Sequence, residues 1–170
     1  AKDTLGFNLD NPGIFLHGYR KLCQKIGNKY LNMKLNFILE TIRKGKTVIY
    51  TTWIEYGVDI ISKFLRDNFI AFKVISGDKS DKERYESIDE YNAGDIDALI
   101  ITKAGGEGID LKGTVNLIIL DPPWHYAALQ QIIGRVIRYK SHENVPEDSR
   151  HVNIYKLALV EKDGMTVDNL

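Results

Sequence analysis

Residues 99–111 read LIITKAGGEGIDL, an apolar run that breaks into a glycine-rich turn carrying two acids, Glu107 and Asp110. Working outward, Val115 to Leu120 is a second apolar run, closed by Asp121-Pro122-Pro123-Trp124, and residues 130–138 follow as QQIIGRVIR. Continuous apolar runs of this length suit strands covered on both faces. Upstream, Thr47 to Thr52 reads as a β-branched strand and Ala71 to Ile75 as another. Between the strands lie helical patterns. Leu31, Leu35, Ile38 and Ile42 share one face of a helix ended by Gly45, and Ile54, Val58, Ile61 and Leu65 mark a second. Ser80 with Glu83 has the form of a capping box, starting a third helix that runs to Ala93 and stops at Gly94. His125 to Tyr139 is a fourth, with Leu129, Ile132, Ile133 and Val136 inward, and His151 to Val160 is a last strand. Strands alternating with helices imply right-handed crossovers and a three-layer, mostly parallel α/β sheet.

Composition bounds the chemistry. The chain has 170 residues, 44% hydrophobic and 27% charged, enough for one globular domain. Lysine plus arginine balances aspartate plus glutamate at 23 each, so any polyanion must be held by a local patch rather than by bulk charge. The sole cysteine, Cys23, excludes an internal disulfide. The four histidines are scattered and suggest no metal site. No apolar run reaches membrane-spanning length, and an intracellular protein is expected. The first residues, with Asn11-Pro12-Gly13, read as an extended lead-in, residues 141–150 as a polar loop, and the segment from Glu161 as the tail of a fragment. The expected organisation is therefore a lead-in with a short helix over 1–30, the α/β lobe over 31–160, and a tail over 161–170.

Ligands of open α/β sheets gather at the carboxyl ends of strands. Thr51, Thr52, Ser76, Gly77, Thr102, Lys103 and the turn to Asp110 all fall there. Arg135 and Arg138 are three apart on a helix, share one face, and carry planar, permanently charged forks suited to a phosphate chain. Three partial motifs fail. Gly45-Lys46-Thr47 resembles the end of a phosphate loop, but Glu40 stands where the first glycine belongs and a strand follows instead of a helix. Gly106-x-Gly108 resembles a dinucleotide fingerprint, but Leu111 replaces its third glycine. Leu120-Asp121 resembles a magnesium-binding strand end, but Pro122 replaces the acid expected next. The competing readings are ordinary ones: a solvated face for the arginines, a flexible turn for the glycines, packing for Trp53 and Trp124, and a solvated helix start for Lys79, Lys82 and Arg84.

Taken in order, VIYTTW (48–53), SGDKSxxERxxxIxxYNxG (76–94), IITKAGGEGIDL (100–111) and QxxGRxxR (131–138) resemble motifs four, four-b, five and six of the second RecA-like lobe of superfamily-two helicases and translocases. The resemblance runs from about Leu31 to Val160. AGGEGIDL and DPPW look most like the Swi/Snf-type branch, whereas Asp110 and the GRVIR segment look like the DEAD/DEAH-type branch. Pro123 and His125 depart from the Swi/Snf-type pattern. The mixture, with Tyr139-Lys140-Ser141-His142, is similar to helicase-like ATPases of large DNA viruses used in transcription. The resemblance implies a RecA-like P-loop NTPase second lobe lacking its own Walker A, with Arg138 as the arginine finger, Arg135 as a second phosphate contact and Gln131 orienting the γ-phosphate or attacking water. It implies that Gly108 and Asp110 meet the nucleotide. Thr51, Thr52, Ser76, Gly77, Thr102 and Lys103 would grip a DNA or RNA backbone. ATP and Mg2+ would be bound mainly by a first lobe in the same longer chain, and the isolated lobe would be inactive. The alternative expectation is a catalytically inactive, helicase-derived module binding nucleic acid or protein. A self-contained nucleotide-binding enzyme is disfavoured by the failed glycine patterns.

Overall fold

A computed structural model describes residues 28–105, 109–121, 126–136 and 151–157. Its elements are α1 (Asn28–Ile42), β1 (Thr47–Tyr50), a π-helical turn (Ile54–Val58), α2 (Asp59–Asp67), β2 (Phe72–Ile75), α3 (Asp81–Ala93), β3 (Ala98–Ile101), β4 (Asn116–Ile119), α4 (Tyr126–Val136) and β5 (Asn153–Lys156). The five strands form one sheet in the order β2-β3-β1-β4-β5, and every pairing is parallel. The expectation of a mostly parallel three-layer sheet is thus met in its stricter, all-parallel form. Residues 1–27 of the lead-in, the 141–150 loop and the tail lie outside the described residues, and residues 28–30 open α1.

The period-two alternation of strand side chains divides the core. Val48 and Tyr50, Leu99 and Ile101, and Leu117 and Ile119 point to one face, where they meet Ile88 and Tyr91 of α3 and Leu129, Ile132 and Val136 of α4. Ile49, Ile100 and Ile118 point to the other, where they meet Leu35, Ile38 and Ile42 of α1 and Val58, Ile61 and Leu65 of α2. Burial on both faces is why these strands read as unbroken apolar runs.

Local signals set the helix ends. Ser80 accepts from the Glu83 amide while the Glu83 carboxylate accepts from the Ser80 amide, and Gly94 closes α3 in the left-handed region at φ 88°. α2 closes on Phe69 at φ 57°, with the Ile70 amide donating back to Leu65. One sequence expectation fails. Ile54 does not begin an α-helical apolar face: it is half exposed and lies in a π-helical turn, with the Val58 amide donating to the Trp53 carbonyl five residues back at 3.0 Å. The strands are also shorter than their apolar runs. β1 stops at Tyr50, which leaves Thr51 and Thr52 in the turn beyond it.

Candidate functional site

Chain order and sheet order diverge around β1, which is flanked by β3 and β4. This is a topological switch point, where the connections leave in opposite directions and open a crevice at the carboxyl ends of the strands. Three turns build its floor.

The turn after β1 is held from β4. Leu120 donates to Tyr50 at 2.9 Å, extending the ladder by one residue and bringing Asp121 over the end of β1. One Asp121 oxygen accepts from the Thr51 hydroxyl at 2.7 Å and the other from the Thr52 amide at 2.6 Å. The Trp53 amide donates to Thr51 Oγ1 in turn. Behind Thr51 stands Gly57 of the π-helical turn, where a Cβ atom would fall 2.1 Å from Thr51 Oγ1. Only glycine permits that approach. Burial pushes the Asp121 carboxyl above the usual carboxylate range, against the opposing pull of its hydrogen bonds from Thr51 and Thr52.

The turns after β2 and β3 press on each other. Thr102 donates its amide to the Ile75 carbonyl at 3.1 Å, and its hydroxyl accepts from the Gly105 amide at 3.3 Å. A Cβ at Gly105 would lie 2.1 Å from the Ile75 oxygen, and one at Gly77 would lie 2.8 Å from Ala104 Cβ. Arg84 of α3 donates to the Gly105 carbonyl at 3.3 Å and pairs with Asp81, so it tethers the turn rather than projecting from a solvated helix start. Lys79 and Lys82 do fit that ordinary reading, as i,i+4 partners of Glu83 and Glu86. Ser76 donates to Asp78, whose carboxyl that bond holds below its ordinary range.

These turns line an open cleft of about 1030 Å³. Thr52, Ser76, Gly77, Thr102 and Lys103 all border it, so five of the six residues expected at a nucleic-acid backbone come together. The sixth, Thr51, does not: it is fully buried, with its hydroxyl committed to Asp121. Sequence reasoning missed the opposite wall, formed by Asp59, Ser62 and Arg66 of α2. Their spacing of three and four residues, polar on a helix otherwise apolar toward the core, was the available signal. Arg66, Lys79 and Lys103 face Asp59 and Asp78 there, so the cleft has little net charge and offers hydroxyls and amides as much as cations. A second depression of about 460 Å³ continues from it along β2 and shares Arg66, Val74 and Lys79.

The residues assigned to the nucleotide lie elsewhere. Asp110 is exposed and does not border the cleft. Its carbonyl accepts from Asn92 at 3.0 Å, and Asn92 accepts from the Lys112 amide at 2.7 Å, which moors this stretch to the last turn of α3. Gln131 is exposed on α4. Arg135 is on the same helix, but its side chain, like Arg138 and Gly108, falls outside the described residues. Lys46, from the failed phosphate-loop motif, donates to the Lys112 carbonyl and sits 4.4 Å from the centre of the Tyr91 ring, a structural role. Among the described residues no three His, Cys, Asp or Glu side chains group to hold a metal ion, and no helix is long and apolar enough to cross a membrane.

Comparison with known proteins agrees with this architecture. Residues 30–140 match the model of the helicase conserved C-terminal domain. A protein of Acanthamoeba polyphaga mimivirus named as an ATP-dependent RNA helicase is 33% identical over 164 residues, covering 86% of this chain and 37% of that protein. Nucleoside triphosphatase I of Melanoplus sanguinipes entomopoxvirus is 33% identical over 131 residues, covering 73% of this chain and 20% of its own. The chain thus spans well under half the length of these relatives. Among solved structures, the C-terminal part of the Fun30 ATPase domain superposes with a TM-score of 0.64 at 25% identity, covering 83% of this chain and 43% of that one. The E. coli DEAD-box protein SrmB, at 18% identity and TM-score 0.59, covers 74% and 72% and shares the fold. With a RecA-like sheet, the strand-end turns of motifs four and five, and a family match over most of its length, this chain belongs to the helicase conserved C-terminal domain family.

Proposed function

We propose that this chain is the C-terminal lobe of an ATP-dependent nucleic-acid helicase or translocase, acting with a first RecA-like lobe in the same longer polypeptide. The lobe is assigned to residues 31–160, with 1–30 and 161–170 as flanks. The observation that carries the reading is the convergence of Thr52, Ser76, Gly77, Thr102 and Lys103 on one cleft at the carboxyl ends of β1, β2 and β3. Hydroxyls, glycine-exposed amides and one lysine suit a sugar-phosphate backbone read without regard to sequence. The names of the viral relatives, one an ATP-dependent RNA helicase and one a nucleoside triphosphatase, support nucleotide use.

Among the described residues no group of acids or histidines is placed to hold the nucleotide's metal. Both oxygens of Asp121, the strand-end acid, are already hydrogen-bonded to Thr51 and Thr52, which fits Mg2+ being held by the first lobe. When bound, Mg2+ would neutralise charge on the phosphates. This chain's share is Arg138 as arginine finger, Arg135 as a second phosphate contact, Gln131 as the orienting group, and Gly108 with Asp110 toward the nucleoside. Gly134, in the same motif, supports a close partner at α4. Glycine inside a helix costs about 1 kcal/mol relative to alanine, and a Cβ here would meet nothing within 4 Å, so packing against the described residues does not require it.

The test is ATP hydrolysis by the full-length protein, alone and with single-stranded DNA, duplex DNA and RNA, beside Arg138→Ala. The expected result is stimulation by at least one nucleic acid and a loss of about a thousandfold in the variant, the range of arginine fingers. A near-normal rate in the variant removes the finger assignment. No hydrolysis under any condition favours a binding module without catalysis.

A further inference from the structure

We propose that Asp59 and Ser62, on the α2 wall of the cleft, read the ribose 2′-hydroxyl and make the lobe selective for RNA over DNA. The proposal rests on the helicase reading above and deepens it by naming the class of strand. Three side chains of α2 border the cleft, Asp59, Ser62 and Arg66. Residues three and four apart are neighbours on a helix surface, with about 5–6 Å between Cβ atoms, so Ser62 stands between the other two on one face. Among the described residues no hydrogen bond or ion pair engages the carboxylate of Asp59 or the guanidinium of Arg66, and both residues are exposed. Ser62 is only 6% exposed, and its hydroxyl has no hydrogen-bond partner. A buried hydroxyl left unpaired is costly, and a ligand that pairs with it relieves that cost.

The sign of the charge selects the ligand. A free carboxylate in a cleft that holds a polyanion repels it, unless the strand brings a proton donor to that place. The other acid at the cleft, Asp78, already accepts from the Ser76 hydroxyl, so Asp59 is the one left to be satisfied. A DNA backbone carries acceptors only, whereas each ribose of RNA adds a hydroxyl that both donates and accepts. That hydroxyl completes the set: its proton goes to the Asp59 carboxylate and its oxygen accepts from Ser62 Oγ. Arg66, one turn further along α2, is left to the adjoining phosphate. An acid in the first turn also suits the helix dipole, which accounts for Asp59 alone. It does not account for the unpaired hydroxyl beside it.

The experiment measures binding of the full-length protein, by fluorescence anisotropy, to one single-stranded sequence made as RNA, as DNA and as 2′-fluoro RNA. The fluoro strand carries no proton to donate at the 2′ position. RNA should bind about tenfold or more tighter than either, the worth of one hydrogen bond to a charged group. Asp59→Ala should bring RNA and DNA to nearly equal affinity, by weakening the first and relieving repulsion of the second. Ser62→Ala should reduce the preference for RNA without lowering the melting temperature, because it removes a hydroxyl that has no partner in the free protein. Arg66→Ala should weaken RNA and DNA alike and lower the slope of log affinity against log salt by about one. Equal binding of RNA and DNA by the wild type overturns the proposal and leaves the helicase reading standing. So does a fluoro strand bound as tightly as RNA, or a preference that survives Asp59→Ala. Binding of no nucleic acid at all defeats the helicase reading, and the ribose site with it. The three strands on the wild type decide the matter even if a variant fails to fold.

Discussion

Replacing Gly105 with alanine puts a methyl carbon 2.1 Å from the Ile75 carbonyl oxygen, 2.4 Å from its carbon and 2.7 Å from the Ser76 nitrogen. All three are backbone atoms at the end of β2, so no flexible side chain can swing aside. The turn must lift, and lifting strains the bonds that seat it: Thr102 to Ile75 at 3.1 Å, Gly105 to Thr102 at 3.3 Å and Arg84 to Gly105 at 3.3 Å. Overpacking in a rigid surround costs about 1–3 kcal/mol, and each weakened hydrogen bond about 1 kcal/mol. A total of about 3 kcal/mol is therefore expected, corresponding to a fall of roughly 6–12 °C in melting temperature at the sensitivity of a domain this size. Urea denaturation of the 170-residue chain, followed by tryptophan fluorescence, measures it. Gly94→Ala is the comparison: its φ of 88° lies in the left-handed region, but nothing lies within 4 Å, so only about 1 kcal/mol of backbone strain is expected. If Gly105→Ala costs no more than Gly94→Ala, the seating of the motif-five turn on β2 is wrong.

Three further outcomes are expected. Gly134→Ala should raise domain stability by up to about 1 kcal/mol, since it removes a helix-interior glycine without a clash. It should lower ATP hydrolysis in the full-length protein, and full activity would mean that the open side of α4 faces only solvent. Lys103→Ala should weaken nucleic-acid binding and reduce the slope of log affinity against log salt by about one, as for a single phosphate contact. An unchanged slope removes Lys103 from the backbone. Asp121 gives a pH signature. Its folded pKa is raised by burial, so the folded state holds the proton more tightly than the unfolded state, and stability falls as pH rises from the ordinary aspartate value through the folded pKa. Relative to Asp121→Asn, the wild type should lose stability across that window. A constant difference between the two denaturation curves from pH 3 to pH 7, about the span of an ordinary carboxylate titration, would contradict the burial.

The third helix shows how much local chemistry can establish. Ser80, Glu83 and Gly94 specify its start and stop through bonds to their own neighbours, so one stretch of sequence contains the whole interaction. The apolar runs of β1, β3 and β4 likewise announce strands covered on both faces, and the ordered motifs identify the family. Ile54 marks the limit. Its spacing from Val58, Ile61 and Leu65 fits an α-helix, but the tight approach of Gly57 to Thr51 and the π-helical turn leave it half exposed. Thr51 and Thr52 mark it more sharply. They are adjacent and chemically identical, yet one is buried against Asp121 and the other borders the cleft.

Sequence alone determined the alternation of elements, the helix caps, the parallel α/β class and the row of polar residues at the strand ends, because each depends on contacts within a few residues or on simple periodicity. Tertiary structure decided the strand order, the α2 wall of the cleft, the steric demand on Gly57 and Gly105, and the change of Asp121 from a failed metal motif into a brace. Those depend on which strands become neighbours, and a carboxylate 70 positions from its partner hydroxyl carries no local sign of the bond it will make.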